Sequence, residues 1–195
     1  MKPILITGVN VALNATGLAN DVAYAAGGYA LTANDAADDL AHKITIHGNA
    51  ATDHTGKTFT ITGTNANGEP QTETIAGPNG VATKTSTKYF LSVTSITVDA
   101  TTNADTFDMG WTADAVSPWS FINDAWQPPG MGFGCSVDSG SPTYGVEQQY
   151  GDGVAFTHAT VTGETTAQEG GYTYPVRAIR LIWSAAGGVT LRAWY

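Results

Sequence analysis

Residues 57–76, KTFTITGTNANGEPQTETIA, decide the fold. Phe59 and Ile61 alternate with Thr58, Thr60 and Thr62, the period-two pattern of a strand with one buried face. Asn67-Gly68 follows within TNANGEP, where a tight turn needs positive φ, and QTETIAG is the return strand. The same texture continues outward, with KITIHG (43–48) before the hairpin and KYFLSVTSITV (88–98) after a second turn at Gly77–Gly80. Short strands at roughly ten-residue spacing, joined by turn signals, predict an antiparallel sandwich or barrel.

Composition agrees. The 195 residues are 42% hydrophobic and 10% aromatic, which excludes a disordered chain and suffices for a buried core. Charged residues are only 13%, so Thr, Ser, Asn and Gly must supply the polar surface, and Thr favours strands over helices. Seventeen acids against eight bases give a net charge of -9, which argues against a nucleic-acid partner. No apolar stretch approaches the roughly 18 residues of a membrane span. The single cysteine, Cys135, excludes an internal disulfide and a cysteine-based zinc site. In the opening MKPILITGVNVAL, Pro3, Thr7, Gly8 and Asn10 interrupt the apolar run, so it reads as a strand or arm in place of a signal peptide.

These patterns predict an all-β chain of two antiparallel sandwich- or barrel-like modules in series behind an extended N-terminal arm. The arm is residues 1–30, rich in Ala, Gly and Asn; the first β domain is 31–115; the second is 116–195. Asn34–Lys43 has a capping residue, early acids and a late lysine, so it reads either as a short helix or as a turn leading into a strand. The second domain opens on SPWSFINDAWQPPGMGFG, whose proline pair cannot continue a helix or a central strand. Its aromatics Trp119, Phe121 and Trp126 are the candidate interface residues, because large aromatics in a Pro/Gly-rich connection serve packing between proteins or at a domain junction, and less often the stacking of sugars.

Chemical motifs along the chain are fragmentary. His42, His47 and His54 match no usual zinc spacing, so no metal or cofactor is expected. Gly130, Gly132 and Gly134 echo a dinucleotide-binding loop, but a proline pair precedes them and no helix pattern follows. Asp105 with Asp108, and Glu164 with Glu169, read as solvated loop acids in preference to a hydrolytic pair. With no nucleophile elbow, metalloprotease motif or phosphate loop, no enzyme activity is expected.

Two runs carry a resemblance. AHKITIHGNAATDHTGKTFTITGTNANGEPQTETIAGPNG (41–80) with TSTKYFLSVTSITV (85–98), and FTHATVTGETTAQEGGYTYPVRAIRLIWSAAGGVTLRAWY (156–195), resemble modules of virion structural proteins of tailed bacteriophages. The resemblance implies a β-rich, non-enzymatic, homo-oligomeric component of a phage particle, made in the host bacterial cytoplasm and localised to the virion. The role expected from it is capsid decoration: a cement protein, trimeric, bound to itself and to the major capsid protein or another virion protein. A tail or neck component (adaptor or tail tube) is the alternative in the same class, and a glycan-binding adhesion module acting through Trp119 or Trp126 is the alternative outside it.

The last nineteen residues hold every arginine: Arg177, Arg180 and Arg192. Ile179, Leu181 and Trp183 share one strand face, as do Val189, Leu191, Ala193 and Tyr195. Reading the intervening SAAGG as a turn predicts a closing hairpin with a loop of three or five residues around Ala186–Gly188. It sends Arg180 and Arg192 together to the opposite face, toward the ten carboxylates that lie between Lys88 and Arg177.

Overall fold

The computed structural model describes residues 3–25, 27–122 and 130–194. Among these every regular element is a strand, so the chain is all-β as expected, and each pairing with a defined register is antiparallel. It divides into two compact units, Ala12–Ala113, and Met1–Val11 with Asp114–Tyr195. The segment expected as an arm enters the fold as two strands: β1 (Pro3–Asn10) belongs to the second unit and β2 (Asn14–Ala23) to the first.

In the first unit follow β3 (Ala41–Gly48), β4 (Thr58–Thr64), β5 (Pro70–Ala76), β6 (Thr83–Phe90), β7 (Ser92–Val98) and most of β8 (Thr106–Val116). One sheet is β5-β4-β7, and in the other β8 lies between β2 and β3, with β6 beyond β3. Phe59 and Ile61 of β4 are fully buried, as their alternation with threonine requires. The Phe59 and Phe107 rings meet across the two sheets at 5.3 Å between centroids, and Tyr29 stacks on Phe59 at 5.8 Å. This aromatic cluster fills the sandwich.

KYFLSVTSITV is two strands. The chain leaves the β3 sheet after Phe90, Leu91 donates its amide to Thr64, and Ser92–Val98 joins the β4 sheet. The 34–43 segment takes the turn-into-strand form. Asp35 and Asp38 accept the amides of Ala37 and Leu40 two residues on, and Ala37 and Asp39 hold φ of 57° and 60°. Those side-chain bonds satisfy the backbone in turns where a helix would need the same residues as caps.

The second unit is built on two long strands, β10 (Met131–Gln149) and β13 (Ala178–Trp194), with the short β9 (Ser120–Phe121), β11 (Phe156–Thr157) and β12 (Gln168–Tyr172) at their edges. β13 pairs with β10 along one side. Along its other side it pairs with β1 over Gly187–Trp194, and with β9 and the end of β8 over Ala178–Trp183.

There is no terminal hairpin. RAIRLIWSAAGGVTLRAW runs through Ala186–Gly188 as one strand, and the odd-numbered parity shared by the two apolar sets is the parity of a single strand. Gly187 (φ +147°) sits opposite Gly140 (φ +67°) of β10, and there the ladder shifts register without reversing direction. A Cβ on Gly187 would lie 2.7 Å from Pro142 Cδ, so only glycine fits.

The register shifts also change which positions of β10 face the core. Phe133, Cys135 and Val137 oppose Ala193, Leu191 and Val189, whereas beyond the bulge Tyr144, Val146 and Gln148 oppose Trp183, Leu181 and Ile179. The extra residue Asp138 is held by Thr190 Oγ1 at 2.5 Å and Ser136 Oγ at 2.9 Å. Val161, Tyr172, Val176 and His158 are buried in the same unit.

Candidate interaction surface

The even-numbered face of β13 points away from that core. At its first end Arg180 lies opposite Glu147 of β10, with Nη2 and Nε donating to Glu147 Oε2 at 2.6 and 2.8 Å. The guanidinium carbon stands 4.4 Å from the centroid of the Trp119 ring. The cation is thus fixed between an indole face and a carboxylate, which orients the half-buried Trp119. Phe121 of β9 lies beside Ala178 and is 57% exposed. Two of the three aromatics singled out from sequence therefore lie at β9, Trp119 just before it and Phe121 within it. Trp126, the third, lies outside the described residues.

At the other end Trp194 and Arg192 stand over Gly132 and Gly134, their partners on β10, and added Cβ atoms on these glycines would meet nothing within 4 Å. A groove of about 650 Å³ opens there, lined by Gly134, Ser136, Gln168, Glu169, Arg192 and Trp194 among others. Arg192 Nη1 donates to Ser136 Oγ at 3.1 Å, and Glu169 of β12 lies opposite Gly134 from the far side. Of the three glycines read as a dinucleotide-loop fragment, Gly132 and Gly134 are strand residues forming a bare floor, whereas Gly130 precedes β10 and abuts the Tyr172 carbonyl. Their signal was Gly-x-Gly at period two, which places both on one face of a strand. Arg180 meets a carboxylate as expected, whereas Arg192 finds a hydroxyl.

The other residues weighed from sequence are held separately. His42 bridges Asp38 (Nε2, 2.9 Å) and the Thr112 carbonyl (Nδ1, 3.0 Å), His54 meets Asp105 at 3.1 Å, and His47 meets Thr83 at 3.0 Å. Among the described residues no three potential ligands converge. Asp108 accepts the Asp21 amide at 2.7 Å and Asn49 Nδ2 at 3.1 Å, and Glu164 bridges by its backbone to Tyr144. Asp21 in turn accepts Thr106 Oγ1 at 2.5 Å and Asn49 Nδ2 at 3.3 Å, and these bonds, Thr106 first, hold its carboxyl below the usual carboxylate range. Burial pushes the Cys135 thiol up to about 12, which leaves it protonated and unreactive at neutral pH.

Comparison with known proteins finds no matching family model, no matching curated protein and no matching solved structure.

Proposed function

We propose that this chain is a non-enzymatic structural subunit of a tailed-bacteriophage particle: a capsid decoration, or cement, protein that packs against copies of itself and against the major capsid protein. The observation that carries this reading is the outer face of the second unit. There Phe121, Trp194, Leu5 and Val9 are 57%, 47%, 65% and 55% exposed, on strands that also present Arg192 and Arg180, the latter carrying the ring of Trp119. Scattered apolar residues on a surface need no explanation, but aromatics and arginines in register on one sheet are the composition of protein interfaces. The resemblance of the 41–98 and 156–195 runs to virion modules supplies the kind of assembly.

Particles lacking the protein are expected to lose DNA or rupture under heat and osmotic shock at milder conditions than complete particles. Equal resistance of the two overturns the cementing role. A neck or tail role predicts a single ring of copies per particle in place of a lattice-wide number.

One observation favours a second reading, a glycan-binding adhesion module. Trp194 on a glycine floor between Arg192 and Glu169 offers a stacking face beside polar groups. A glycan array that gives no signal for the wild type removes it.

A further inference from the structure

β1 gives one edge to β13 and, among the described residues, pairs with no other strand. An open edge is a row of backbone donors and acceptors ready for another strand, and proteins blunt such edges with charges, bulges or interior prolines. PILITGVN has none of these defences. It carries no charge, its eight residues pair with β13 in an unbroken register, and its only proline is the first residue. Its alternation is strict, with Ile4 and Ile6 inward and Leu5, Thr7 and Val9 outward.

We propose that this edge binds the same edge of a second copy, antiparallel, about a two-fold axis through Thr7. Charge selects the occupant. Two chains of net charge -9 repel over most of their surfaces, and an uncharged strand lets them approach without opposing carboxylates. A basic peptide would find no acid along β1 to bind.

Register completes the choice. Directly opposed residues in an antiparallel ladder share a face, so outward positions must oppose outward positions. Centring on Thr7 sets Leu5 against Val9 of the second copy, twice, and Thr7 against Thr7, with Ile6 against Gly8 on the other face. The strip is self-complementary, which is the requirement of a closed isologous contact. It replaces the trimer expected from sequence with a dimer, or an even-numbered assembly built from dimers. The inference rests on the homo-oligomeric part of the proposed function and not on residence in a particle.

Sedimentation equilibrium of the isolated chain at micromolar concentration tests it. The wild type is expected at twice the monomer mass. Leu5→Lys/Val9→Lys, at two exposed positions, is expected at the monomer mass with unchanged circular dichroism. Leu5→Lys/Val9→Glu, which sets opposite charges across the axis, is expected to regain the doubled mass. Thr7→Cys is expected to give a covalent dimer with a short bismaleimide, because the native thiol of Cys135 is buried. A monomeric or trimeric wild type, a dimer that survives the two lysines, or a Thr7→Cys chain that stays single overturns the edge pairing. None of those results bears on whether the protein is found in particles, which particle composition decides.

Discussion

Asp21 shows how a surface residue can be tied to the fold. It takes positive φ, 52°, and its carboxylate collects Thr106 and Asn49 while its amide bonds Asp108, so β2, β8 and the turn after β3 meet there. Because its folded-state pKa is depressed, the stabilisation is present in full above the unfolded carboxylate value of about 3.9 and is lost as pH falls through the lower folded value. Asp21→Asn, which keeps a residue tolerant of positive φ, is expected to melt below wild type at neutral pH. Thermal melts should show the gap closing as pH falls below about 4, and a gap that persists in strong acid contradicts the assignment. None of this was legible in the sequence, because Asp21 and Thr106, 85 positions apart, are brought together only by the β2–β8 pairing.

At the scale of elements, legibility followed from whether a strand keeps one parity. β4 does, with Phe59 and Ile61 between threonines, and the hairpin at Asn67-Gly68 was readable because Gly68 takes the left-handed φ of +81° that the pair signals. β10 does not, since its core positions change from odd to even across Asp138–Pro142, so no single alternation marks it as one strand. β13 keeps its parity, but Gly187 and Gly188 were mistaken for a turn, because glycine serves a reversal and a bulge for the same conformational reason. The unbroken odd parity from Ile179 to Ala193 was the signal for the second choice. Gly187→Ala is accordingly expected to cost about 1–3 kcal/mol, from its φ of +147° and the contact with Pro142. Urea denaturation reads this directly, and an unchanged midpoint would show that the bend does not depend on glycine. Of the candidate surface, Trp119 and Phe121 were found from sequence as aromatics in a connection. Trp194 was missed because a hairpin was assumed around it, whereas the opening run, read as a strand or arm, is the strand β1.

For the molecule as a whole, the reading is a chain that presents interfaces on one face and one edge. On the proposed function, the outer sheet face of the second unit, with its aromatics and arginines, and the uncharged edge strand are the surfaces that pack. Low charge suits that task, since each buried, unpaired charge would oppose association. The most direct test is a density map of the intact particle. The proposal predicts this chain on the outer head surface, on the order of hundreds of copies arranged with the capsid lattice. A particle whose density and protein composition account for every subunit without this chain would contradict it.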